Sequence, residues 1–216
     1  MKLPHPWPAV IVALVATNLV TAAALVLWSE GRLSEEARWA ANREKARDLF
    51  RIVTDLGGLG ELLEVALNET LAPGVRGDAV ANATGPAAAI EAHAYDLADD
   101  YGSANASVRE VWSGVSALGL SRRWFPDIAR EFYTLGAASS YYRAAMENLT
   151  RVSRGLQGTL YAIAPSFNAS APLSLFRDDP LDRLSTAEFG ALRALGAQAA
   201  CLYDRLYFGQ DLGPCT

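Results

Sequence analysis

The chain has 216 residues, of which 51% are hydrophobic and 20% charged, with a formal net charge of −5. That length accommodates one domain with a sizeable core, and the acidic balance excludes nucleic acid as a partner, because no basic footprint exists to meet a phosphate backbone.

In chain order, the first element is an uncharged run of 20 residues, Ala9 to Trp28, preceded by Pro4, Pro6 and Pro8. A helix rises about 1.5 Å per residue, so the run is long enough for a hydrocarbon core of roughly 30 Å. Trp7 and Trp28 bracket it as interfacial aromatics do. A cleaved signal peptide is the competing reading, but the run is longer than a typical h-region and cleavage would leave Leu25 to Trp28 on the mature end. Residues 1–8 are therefore expected to be a short cytoplasmic stub, 9–28 a transmembrane signal-anchor helix in contact with membrane lipid, and 29–216 an extracytoplasmic domain. Ala13, Thr17 and Thr21 recur every fourth residue with Asn18 beside them, a face expected to associate with another helix. Both hydroxyls bonding back to their own helix is the alternative.

Two signals disagree on which side the domain lies. Arg32, Arg38, Arg43, Lys45 and Arg47 follow the anchor and favour the cytoplasm under the positive-inside rule. Against them stand five Asn-x-Ser/Thr sequons, at Asn68, Asn82, Asn105, Asn148 and Asn168, in a chain with only seven Asn. Ser and Thr make up about 11% of residues, so chance supplies roughly one sequon. The excess favours glycosylation on an outside face.

Helical periodicity dominates beyond the anchor, without alternating strand patterns. Glu30 to Leu71 reads as one long helix with Ala46, Leu49, Phe50, Val53, Leu56, Leu63, Leu67 and Leu71 on a bundle face. Gly57-Gly58-Leu59-Gly60 is expected to kink or break it, and Pro73-Gly74 to stop it. A second helix spans about Pro86 to Tyr101, and a capping box at Ser107 and Glu110 opens the next. Ser121 to Leu135 forms a short helix interrupted by Pro126, and Ser139 or Ser140 to Ile163 a longer one. A Pro-rich loop follows at 164–184, then a second capping box at Ser185 and Glu188 opens a last helix running towards Gly209. The fold expected is all-α, an N-terminal transmembrane helix followed by an antiparallel bundle of about four to six helices.

Cys201 and Cys215 are the only cysteines, and Gly209, Gly213 and Pro214 let the tail turn back, so an intramolecular disulfide is expected. Chemistry is sparse. His93 is the only imidazole within the domain, with Glu91, Asp96, Asp99 and Asp100 nearby; a three-residue His/Asp spacing is a weak metal signal and reads better as a solvated acidic face. Trp124, Phe125, Phe132, Tyr133, Tyr141 and Tyr142, echoed by Tyr203, Tyr207 and Phe208, fit bundle core and core edge. No motif implies a cofactor. The function expected is a membrane-anchored, N-glycosylated surface protein acting by contact, as an interaction module or accessory subunit of an envelope or secretion assembly, with a protein partner or a second copy. A filament or coat subunit packing through its N-terminal helix is the alternative, and an anchored enzyme using His93 and nearby carboxylates a further one.

Overall fold

A computed structural model describes residues 7–101, 105–161, 163, 176–212 and 215, with side chains from residue 16 onward. Among them are seven α-helices and no strand: α1 (Trp7–Leu67), α2 (Pro73–Asn82), α3 (Thr84–Tyr101), α4 (Ala106–Leu120), α5 (Phe125–Leu135), α6 (Ser140–Tyr161) and α7 (Thr186–Phe208), with short 3-10 turns at Ser121–Trp124 and Pro180–Arg183. The all-helical expectation holds.

Five of the helices close a ring in the order α1, α3, α4, α7, α6 and back to α1. Each neighbour runs antiparallel except one pair. α6 reverses α1, since Arg143 near the start of α6 pairs with Glu69 just past the end of α1, while Gln157 near the end of α6 lies against Gly57 further back along α1. α4 and α7 run parallel, with Glu110 near Arg193 and Trp124 near Tyr203. A closed ring with an odd number of members cannot alternate direction throughout, so the antiparallel expectation fails at one seam by geometry. That seam is the tightest in the ring: a Cβ on Gly114 would lie 2.2 Å from the Gly196 carbonyl oxygen. α2 and α5 pack on each other and cover one end of the ring. One core runs through all of this, with Leu49, Ile52, Leu56, Leu59 and Leu63 of α1 against Ile90 and Leu97 of α3, Trp112 and Leu118 of α4, and Leu156 of α6.

Several local expectations are corrected. α1 does not break at Gly57-Gly58-Leu59-Gly60. Its glycines make room for neighbours instead: a Cβ on Gly57 would lie 2.5 Å from Gln157 Nε2 and one on Gly60 3.0 Å from Arg154 Nε, so close packing of α6 offsets the weak helix propensity. α1 ends at Leu67, and Phe50 on its expected core face is 47% exposed. Pro73 starts a helix rather than stopping one, because a first-turn proline lacks only an N–H that would be unpaired anyway. Pro126, the second residue of α5, likewise falls in a first turn.

At α4 the cap is Asn105, whose side chain accepts from the Val108 N–H, not the Ser107–Glu110 box; Glu110 turns towards Arg193. The Ser185–Glu188 box is present as expected, and Gly209 closes α7 at φ 60°. Residues 164–175 of the Pro-rich loop lie outside the described residues, but 176–184 are pinned to the ring at several points while Arg177, Asp178, Asp182 and Arg183 stay exposed. Phe176 and Leu181 are buried, and Asn42 Nδ2 donates to the Phe176 carbonyl at 3.0 Å. Asp179 gathers Lys45 at 3.0 Å, the Tyr101 hydroxyl and the Leu181 N–H. Burial and that carboxylate push the Tyr101 phenol well above its ordinary range.

Candidate functional site

The feature that stands apart from the ring is the N-terminal part of α1. Every residue from Ala16 to Arg38 is exposed, and the apolar ones lie on all faces: Leu19, Val20, Leu25, Val26, Leu27 and Trp28. The Arg32 guanidinium sits 5.2 Å from the centre of the Trp28 ring. Among the described residues no helix is long and apolar enough to cross a membrane.

On the face expected to associate, the Thr21 hydroxyl donates to the Thr17 carbonyl at 2.8 Å, so that hydroxyl is engaged within its own helix. Asn18 is exposed, and the side chain of Ala13 lies outside what is described.

His93 does not assemble with the acids of its own helix. Asp96, Asp99 and Asp100 are exposed, and Glu91 pairs with Arg122 at 2.8 Å. The partner of His93 comes from across the ring wall: Nδ1 lies 3.2 Å from Asp48 Oδ1 of α1, without an aligned hydrogen bond. Arg51 reaches the same oxygen at 3.2 Å. This cross-helix pairing was missed because no local spacing encodes it. Burial raises the carboxyls of Asp48 and Asp55 above their ordinary range, with His93 and Arg51 opposing the shift. Among the described residues no group of three or more His, Cys, Asp or Glu is placed to hold a metal ion.

The raised acids carry a pH signature. A carboxyl whose folded pKa exceeds its unfolded one binds protons more tightly when folded, so it adds stability as pH falls through the folded pKa. Asp55→Asn is expected to raise stability at neutral pH and to flatten the gain seen on mild acidification, measured by urea melts between pH 7 and about 4. A variant with an unchanged pH slope would remove Asp55 from that role.

Four of the five sequons fall on described residues, and Asn168 lies outside them. Asn68, Asn82 and Asn105 are exposed at helix ends, whereas Asn148 is half-buried in the middle of α6. Cys201 and Cys215 sit with their sulfurs 2.11 Å apart, at disulfide distance, fastening the tail to α7. Asn148 Nδ2 donates to the carbonyl of Leu212 in that tail at 3.3 Å.

The aromatic residues divide. Phe125 and Phe132 are core, while Trp124, Tyr203, Tyr207 and Phe208 form a chain of ring contacts at 5.6, 6.1 and 5.1 Å that ends with Tyr207 and Phe208 largely exposed. A groove of about 710 Å³ follows the α4–α7 seam, lined by Arg109, Ser113, Gly114, Arg193, Gly196 and Ala197 among others. No family model matches this chain, and neither a curated protein nor a solved structure matches it.

Proposed function

We propose that the N-terminal part of α1 holds this protein in a membrane and that the helical ring works by protein contact on the extracytoplasmic side, as an interaction module or an accessory subunit of an envelope or secretion assembly. The observation that carries this reading is the fully exposed, uncharged segment from Ala16 to Trp28, which has apolar side chains on all sides and only Thr17, Asn18 and Thr21 as polar ones. Such a helix has no stable place in water; it belongs in a bilayer or inside other protein. The uncharged sequence extends back to Ala9, which brings the apolar length to about 30 Å. Trp28 and Arg32 at its end suit an interface, where an amphipathic ring and a cation both remain wetted. The sequon excess and the paired cysteines support the outside orientation, and the exposed end of the Trp124–Phe208 aromatic chain offers a surface for contact.

The same segment favours a second reading, a subunit that packs its helix laterally into a filament or coat, with Asn18 bonding to a neighbouring copy. Fractionation separates the two. An anchored protein stays with membranes through alkaline extraction and leaves them as a small species in mild detergent. Val20→Arg, near the middle of the run, adds about 2.5–3.5 kcal/mol to insertion and is expected to release a large fraction into the aqueous phase. Wild-type protein found in that phase, indifferent to Val20→Arg, would sink the anchor; large particles that persist in detergent would favour the filament.

A further inference from the structure

We infer that the sequons are unequal: Asn68, Asn82 and Asn105 accept glycans, whereas Asn148 is a silent site sealed by the disulfide-fastened tail. The inference rests on the extracytoplasmic reading above and goes beyond it by assigning individual sites.

N-glycosylation is a reaction of the amide nitrogen. Nδ2 bonds to the anomeric carbon of a lipid-phosphate-linked sugar, the carbon–oxygen bond to phosphate breaks, the lipid phosphate leaves with that electron pair, and Nδ2 gives up one proton. An acceptor Asn therefore needs a nitrogen with a proton to lose and open space beside it.

At Asn148 both amide protons are committed. Nδ2 donates to the Ala144 carbonyl at 3.0 Å and to the Leu212 carbonyl at 3.3 Å, and the carbonyl end accepts from Arg151 at 2.9 Å. The sequon hydroxyl is also engaged, since Thr150 Oγ1 donates to the Met146 carbonyl at 2.8 Å. Residues two apart on a helix point to different sides, so Asn148 and Thr150 cannot be presented together on α6. Leu212 is buried and lies three residues before Cys215, so the tail that accepts from Asn148 is held in place by the cysteine pair. A sugar on Nδ2 would occupy the position of one of those carbonyls. Whether transfer precedes or follows folding, a chain modified at Asn148 cannot close this seam.

The other three differ in each respect. Asn68 lies past the end of α1, where the chain turns and its Oδ1 accepts from both the N–H of Thr70 at 3.0 Å and its hydroxyl at 2.7 Å. Asn82 is the last residue of α2, and Asn105 caps α4 through Oδ1. All three are exposed, and their Nδ2 atoms donate to no described residue.

The test uses the full-length chain produced in cells that N-glycosylate secreted proteins. Membranes are collected with thiols blocked, and the disulfide-closed fraction is deglycosylated with an amidase that converts each modified Asn to Asp before peptide mapping. Conversion is expected at Asn68, Asn82 and Asn105, with Asn148 roughly tenfold or more below the lowest of them. Asn68→Gln, Asn82→Gln and Asn105→Gln should each remove one step of gel mobility, and Asn148→Gln none. Sugar at Asn148 to the level of the others, or absence of sugar from one of those three alone, overturns the inference and leaves the orientation standing. Sugar at no sequon overturns the outside orientation as well.

Discussion

Gly114→Ala is expected to destabilise the fold by about 1–3 kcal/mol even though alanine is the better helix former by about 1 kcal/mol. α4 and α7 cross backbone to backbone at this point. The new methyl would lie 2.2 Å from the Gly196 carbonyl oxygen and 2.9 Å from its Cα, atoms that cannot move without shifting α7. Relief requires the parallel pair to separate, which opens the ring at its one non-alternating seam and loosens the packing around Val111, Val115 and Leu192. Gly190→Ala in α7 is the control, since nothing lies within 4 Å of its missing methyl. Relief of glycine's backbone entropy predicts a gain there of about 0.5–1 kcal/mol. Chemical denaturation of both variants decides the matter: equal, small effects would mean that the helices do not meet as described.

Opening the Cys201–Cys215 link is expected to cost roughly 3 kcal/mol, the chain-entropy value for a closed loop of about fifteen residues. The effect has a local part. Cys215 packs against the core, and the tail it holds places Leu212 in the interior and the Leu212 carbonyl on Asn148. Cys201→Ser and Cys215→Ser should therefore lower the denaturant midpoint by similar amounts, and amide exchange should quicken at the end of α7. The comparison of wild type with and without reductant must give the same loss. A midpoint indifferent to reductant would show that the link adds nothing to the folded state, and that the tail is held by apolar contact alone.

What the sequence conveyed well was whatever is written locally. The period of Ala46, Leu49, Val53, Leu56 and Leu63 marked the buried face of α1, and the Ser185–Glu188 box marked the start of α7. Proline was misread at Pro73, where it sits in a first helical turn and its position relative to the cap decides between a stop and a start. The glycines at 57 and 60 were misread because their reason lies in Gln157 and Arg154, about a hundred residues away.

The ring order was not legible for the same cause: nothing near Gly114 announces Gly196. Among candidate site residues, the cysteine pairing was legible because only one pairing exists. His93 was visible as a lone imidazole, but its partner Asp48 lies on another helix, and the acids at helical spacing from it proved to be solvated. A sequon pattern records residue types only. It could not distinguish Asn68 in a turn from Asn148 inside a helix, which depends on what each amide meets.

α1 runs unbroken from Trp7 to Leu67, 61 residues and roughly 90 Å of rod, and part of that rod is a wall of the ring. The stretch between Trp28 and Asn42, where burial in the ring begins, contains no proline and no loop and stands about 20 Å long. The ring is therefore joined to the N-terminal end by continuous helix and not by a loop. It is the head of a pointer, and whatever grips the N-terminal end fixes its height, tilt and compass bearing. A tilt of about ten degrees at the base sweeps the far tip, where Asn68 follows the end of α1, through roughly 15 Å.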